Sequence, residues 1–179
     1  MEDGPEAVIF AIVLVAAALA GFMFLGRCSG RGKPLGPAPD AGIPSLLQAP
    51  MPALGSLRDL RGKAVVLEFW ATWCDTCRET VPHMNKLREQ FRGRPVVFLS
   101  VTDEPRAAVE AFLKEHPITG WIGLDEGGRL GNAFGVRGIP QVFLIDREGV
   151  ILMKISPSYF YASDIERALG ERQEQRSAQ

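Results

Sequence analysis

The sequence predicts a mixed α/β domain, a central sheet with helices on both faces, and three observations predict it. Residues 64–70 and 96–101 are near-continuous apolar runs rich in β-branched and aromatic side chains, the pattern of strands buried on both faces. Residues 75–91 and 105–116 instead place their apolar side chains at helical spacing. Residues 141–145 and 150–154 are two further apolar runs joined by Asp146-Arg147-Glu148-Gly149, a β-hairpin signal.

Taken in chain order, residues 1–6 are a short acidic segment, and every residue from 7 to 25 is apolar or Gly. Nineteen helical residues span roughly 28 Å, close to the hydrocarbon thickness of a bilayer, so 7–26 is expected to be a single-pass transmembrane anchor. A cleavable signal peptide is the rival. Ala18-Leu19-Ala20 resembles a cleavage site, but Glu2, Asp3 and Glu6 stand where such peptides carry Lys or Arg. Arg27, Arg31 and Lys33 follow the span, which by the positive-inside rule places the next domain in the cytoplasm. Cys28 reads as an incidental interfacial thiol. Residues 27–55, with Pro34, Pro37, Pro39, Pro44, Pro50 and Pro52, read as a semi-extended linker.

The folded domain is expected over 56–170 and a polar tail over 171–179. Within it, 64–70 is a strand, and 75–91 is a helix with Val81, Met84, Leu87 and Phe91 facing inward and Pro82 in its interior. A strand at 96–101 follows, then a helix at 105–116 with Val109, Phe112 and Leu113 inward. A short strand near 121–123, a helical turn at 129–134, the hairpin and a helix at 162–169 complete it.

Composition bounds the function. The chain has 179 residues and a net charge of −1, with Lys and Arg scattered among acids, so nothing supplies the basic surface that nucleic acid requires. Its three cysteines are too few for a disulfide-stapled scaffold. Cys74 and Cys77, however, form a Cys-x-x-Cys that follows a buried strand and opens a helix. The unpaired N–H groups and dipole at a helix N-terminus favour a thiolate at the first cysteine, and the second sits within reach one turn on. Attack by Cys74 on a substrate disulfide, with resolution by Cys77, needs that spacing. Half of a zinc site is the rival, but no second pair exists; His83 points to another side and His116 is distant, so no metal is expected. A structural disulfide, and copper handling through the pair and a distant His, stay open.

The run Val-Val-Leu-Glu-Phe-Trp-Ala-Thr-Trp73-Cys-x-x-Cys, with Pro82 in the following helix, closely resembles the thioredoxin superfamily. Residues 134–146, ending Gly-Ile-Pro140-Gln-Val-Phe-Leu-Ile-Asp, together with the strand–helix insertion between Thr119 and Phe134, resemble its TlpA/ResA-like branch. The resemblance implies a thioredoxin fold and a protein-disulfide reductase tethered outside the cytoplasm, on the periplasmic side, often serving apocytochrome c. That placement opposes the charge flanks. It implies that Pro140 is the cis-proline, bringing the backbone of Ile139 beside the cysteines to pair with a substrate strand. It also matches Glu68 to the buried carboxylate of thioredoxins, where desolvation favours the protonated form and lets it take or relay the proton of Cys77. Trp73 is expected to cover the Cys74 sulfur and shape the docking surface. Asp75 and Thr76, between the cysteines, tune the pair: the charge of Asp75 opposes the thiolate and so favours a reductase. The sequence departs from the family at Gln141, where Thr is common, and in lacking an obvious strand pair before Ser56.

Partners expected on this reading are disulfide-containing proteins, a dithiol electron donor and the membrane. No bound cofactor is expected beyond the Cys74–Cys77 disulfide, because no Gly-rich dinucleotide fingerprint is present. The alternative is a thioredoxin-fold copper chaperone or a non-catalytic docking module. A peroxidase reading is weaker: Thr72 precedes Cys74, but the proline of the usual peroxidatic loop is missing.

Overall fold

A computed structural model describes residues 33–170. The expected anchor over 7–26, Cys28 and the tail over 171–179 lie outside the described residues. Among the described residues no helix is long and apolar enough to cross a membrane.

The described residues form one seven-stranded sheet in the order β1-β7-β6-β3-β4-β5-β2. Its centre is β3 (Ala64–Phe69), paired in parallel with β4 (Val96–Thr102) and antiparallel with β6 (Gln141–Ile145). Strand β5 (Trp121–Leu124) extends the parallel side, and β7 (Val150–Ile155) closes the hairpin with β6. All six residues of β3 are buried. A strand covered on both faces cannot alternate polar and apolar residues, which is why its sequence is a continuous apolar run.

Side-chain alternation along β3 sorts the core into two layers. Val65, Leu67 and Phe69 pack with Leu130, Phe134 and Phe143 on one face. Ala64 and Val66 meet Met84, Leu87, Phe160 and Ile165 on the other. The second face is covered by α1 (Asp75–Gln90) and α4 (Ala162–Leu169), the first by α3 (Arg129–Ala133) and a 3₁₀ turn at Leu57–Leu60. Helix α2 (Arg106–Glu115) places Val109 and Phe112 against Ile122 and Leu124 of β5. Full burial of each large aliphatic or aromatic side chain stabilises the fold by roughly 1.5–3 kcal/mol, so Leu67, Leu99 and Leu144 on the central strands and Ile165 on the helix that covers them are among its anchors.

The expected elements from 64 to 169 are present within a residue or two of their expected ends. The difference lies in 35–54, expected to be part of a linker. There β1 (Gly36–Pro37) pairs antiparallel with β7, and β2 (Ser45–Leu47) pairs antiparallel with β5, so both sheet edges come from this segment. Ile43 bridges Leu54, and Ile43, Leu46 and Leu54 are buried. The fold accommodates these prolines because edge strands carry one row of N–H groups that no ladder needs. Gly42 is required by packing: a Cβ there would collide with the carbonyl oxygen of Gly55.

Candidate active site

The C-terminal end of β3 delivers the chain to the site. Trp70 N–H still donates to Val101 O of β4 at 3.0 Å, after which the backbone leaves the sheet through Ala71, Thr72 and Trp73. Helix α1 then starts with Cys74 as its N-cap in extended conformation, and Cys74 Sγ accepts from Cys77 N–H at 3.1 Å. Sulfur therefore takes the place of the Ser or Asp oxygen that usually satisfies a first-turn N–H.

Cys74 and Cys77 form a disulfide with their Cα atoms 5.2 Å apart. Cys77 is 2% exposed and Cys74 6%, whereas Trp73 beside them is 70% exposed. The Ile139–Pro140 bond is cis, as the resemblance implies, and Ile139 packs against the cluster that contains Cys74, Cys77 and Trp70. Trp70, Ala71, Trp73, Gly138 and Ile139 border a cleft of about 270 Å³ beside the loop that leads to Cys74. The structure thus brings together Cys74, Cys77 and Ile139, with Trp73 on the rim.

Asp75 and Thr76 lie in the exposed first turn of α1. Asp75 forms an ion pair with Arg78, so its charge is shared rather than aimed at Cys74 alone. The charge of Asp75 therefore opposes a Cys74 thiolate less than an unpaired carboxylate would.

Glu68 is buried as expected, on the α1 face of β3, and one of its oxygens is engaged. Oε2 accepts from Arg88 Nη2 at 3.1 Å and from Ser100 Oγ at 3.0 Å. Arg88 is eleven residues beyond Cys77 on α1, roughly 16 Å along the helix axis, so this oxygen is turned toward the far end of α1. Burial holds the Arg88 guanidinium below its ordinary pKa, with the adjacent Glu68 charge and hydrogen bond acting in opposition. Arg88 Nη1 also donates to Asn85 Oδ1 at 2.9 Å, and Asn85 in turn holds Pro117 O and Thr119 N–H ahead of β5.

Two contributors went unremarked in the sequence. Arg88 had a signal: it falls on the buried face of α1, four residues after Met84, where an expected buried carboxylate needs a cation. Glu104 had none, because its contact with Thr72 joins loops 32 residues apart. Among the described residues no cluster of three or more His, Cys, Asp or Glu side chains is arranged to hold a metal ion.

Comparison with known proteins bears on this site directly. Residues 38–154 match the AhpC/TSA family. The chain belongs to the AhpC/TSA family. Within this thioredoxin-fold family it is TlpA/ResA-like. It is 35% identical over 100 residues to the thiol-disulfide oxidoreductase ResA of Bacillus thuringiensis subsp. konkukian, covering 55% of this chain and 58% of that one. It is 38% identical over 114 residues to ResA of Geobacillus kaustophilus, covering 63% and 65%. The matches thus span less than two thirds of either relative. Among solved structures it resembles a thiol:disulfide interchange protein of the thioredoxin family from Chlorobium tepidum TLS, with a TM-score of 0.63, 27% identity, and coverage of 78% of this chain and 99% of that one. The family match begins at residue 38, so it takes in the edge strand β2 as well as the central strands.

Proposed function

We propose that this protein is a thiol–disulfide oxidoreductase that reduces disulfides in other proteins, with Cys74 as nucleophile and Cys77 as resolving thiol. The observation that carries this reading is the Cys74–Cys77 disulfide capping α1, beside an exposed Trp73 and the Ile139–cis-Pro140 backbone. The names of its relatives and of its structural neighbour support the same chemistry.

In the reduced protein the Cys74 thiolate attacks one sulfur of a substrate disulfide. A mixed disulfide forms and the other substrate sulfur leaves as thiolate, taking a proton from water. Cys77, deprotonated in turn, attacks Cys74 Sγ, releases the second substrate thiol and regenerates the Cys74–Cys77 disulfide. Two electrons pass to the substrate, and an external dithiol protein restores them. The helix N-terminus stabilises the Cys74 thiolate in the first step. Ile139 offers backbone for a substrate strand, and Trp73, Asp75, Thr76 and Pro140 border that docking surface. Glu68, whose Oε2 is held by Arg88 and Ser100, is assigned to seating α1 on the sheet, and its expected part in carrying the Cys77 proton falls to its second oxygen.

The reducing direction rests on two acidic side chains, Asp75 in the first turn of α1 and Glu104 bonded to Thr72 of the loop before Cys74, both of which oppose thiolate accumulation. The apolar 7–26 segment supports a membrane anchor, and the resemblance to the TlpA/ResA-like branch supports an extracytoplasmic placement with apocytochrome c among the substrates, against the direction of the charge flanks. A reporter fused at the C-terminus reads the orientation.

The substitution Cys77→Ser tests the mechanism. It is expected to accumulate mixed disulfides with protein substrates that are released by dithiothreitol and vanish in Cys74→Ser/Cys77→Ser. Finding none, or finding them formed through Cys77 in Cys74→Ser instead, would reject the assignment.

A further inference from the structure

We propose that Glu104 is a positioning residue for the cysteine pair, clamping the loop that carries Trp73 and Cys74 in the geometry of the disulfide form. The inference rests on the reading above that Cys74 and Cys77 are the exchanging pair. Glu104 lies between β4 and α2, outside the Cys-x-x-Cys segment and outside the Ile139–Pro140 turn.

Its carboxylate spends both oxygens on one residue. Thr72 N–H donates to Oε2 at 2.7 Å and Thr72 Oγ1–H donates to Oε1 at 2.6 Å. Thr102 Oγ1, at the end of β4, donates to Oε2 at 3.1 Å and so aims the carboxylate. Among the described residues Glu104 has no ion-pair partner, so its charge is balanced only by these hydrogen bonds.

The backbone around it shows why a side chain is needed there. Trp70 N–H is held by Val101 O, Cys74 N–H by Ala71 O at 3.2 Å, and Arg78 N–H by Cys74 O at 3.1 Å. Thr72, midway through the turn, finds no backbone acceptor, and Glu104 supplies one from the loop after the neighbouring strand β4. Using the hydroxyl as well fixes the Thr72 side chain along with its backbone. Charge-assisted bonds of this kind are the stronger class, and two from one carboxylate leave the loop little freedom.

Two consequences point the same way. The clamp stabilises the oxidised pair by as much as its bonds are stronger in the disulfide form than in the dithiol form. A carboxylate held next to the loop disfavours a thiolate at Cys74. Both keep the pair reducing. Thr72 and Glu104 thus lower the potential without touching the reacting sulfurs.

The test uses the full chain with Glu104→Ala, Glu104→Gln, Thr72→Val and the double substitution Glu104→Ala/Thr72→Val. It reads the equilibrium with dithiothreitol and the pH profile of Cys74 alkylation. Glu104→Ala is expected to shift the equilibrium toward the reduced protein roughly tenfold, about 30 mV less negative, and to move the alkylation midpoint to lower pH. Glu104→Gln, which keeps one carbonyl acceptor, should shift by less, as should Thr72→Val. The double substitution should match Glu104→Ala alone, since the hydroxyl has nothing left to bond. If Glu104→Ala fails to fold, Glu104→Gln and Thr72→Val carry the test. The proposal is overturned if these variants lower the melting temperature yet leave both the equilibrium and the alkylation profile where the wild type has them. Neither readout needs a protein substrate. A chain that traps no partner through Cys77→Ser therefore rejects the proposed function while leaving the clamp to be judged by its own measurements.

Discussion

Two carboxylates hold α1 and the loop before it to the sheet, and they do it in different ways. Glu68 sits inside the sheet, 5% exposed, and pairs with a guanidinium from the helix that covers it. Glu104 sits half-buried at the rim and holds only neutral donors, two of them on the loop before Cys74. A buried ion pair exchanges a large desolvation cost for mutual attraction, so losing one partner strands a charge and costs stability. A carboxylate at the rim stays hydrated on one side, so losing it changes local geometry and local potential more than global stability. One side chain seats the helix and the other sets the pair of cysteines at its tip.

The largest effect that would break or sharpen this contrast belongs to Arg88. Arg88→Ala should cost about 3–5 kcal/mol in denaturant unfolding, because Glu68 is left buried and uncompensated. The potential of the folded fraction should stay within about 10 mV of wild type, on the scale where 30 mV equals a tenfold change. A large potential shift would bring the Arg88-bound oxygen of Glu68 into the proton chemistry of Cys77 as well. Replacing both partners together, Glu68→Leu with Arg88→Met, should recover most of the lost stability, since apolar side chains remove the desolvation cost along with the attraction. Failure to recover would mean that Ser100 and Asn85 depend on the pair for their own hydrogen bonds.

Ser100→Ala should cost less, about 1–3 kcal/mol, as one hydroxyl serves both Glu68 and Arg88. The smallest effect is expected at Asp75. Its side chain is 79% exposed and paired with Arg78 across one turn, so Asp75→Asn should change stability by less than about 1 kcal/mol. Its potential shift should fall below that of Glu104→Ala. If Asp75→Asn moves the potential further than Glu104→Ala does, the between-cysteine residue governs the pair and the clamp is secondary.

How these features stood in the sequence follows the range of the interactions. The core from 64 to 169 was legible because each element is specified by its own period: the unbroken run of β3, the helical spacing of Met84, Leu87 and Phe91, the hairpin turn at Asp146–Gly149. The cysteine pair was legible for the same local reason, being a motif placed between a strand and a helix. The edge strands were not, since Gly36–Pro37 and Ser45–Leu47 take their order from β7 and β5 rather than from propensity, and prolines hid what little period they have. Glu68 shows the boundary. Its burial follows from Val65, Val66, Leu67 and Phe69 around it, but its partners come from α1 and β4 and needed the fold. Glu104 lies wholly beyond local reading, a loop residue whose meaning depends on Thr72 in another loop.

The reduction potential of the Cys74–Cys77 pair in the full chain, titrated against dithiothreitol, tests the central claim of a reductase most directly. The account predicts a value near or below about −270 mV, where thioredoxin operates. A value toward about −120 mV would contradict it, giving the helix N-terminus more influence over Cys74 than Asp75 and Glu104 together and making the protein an oxidant of thiols.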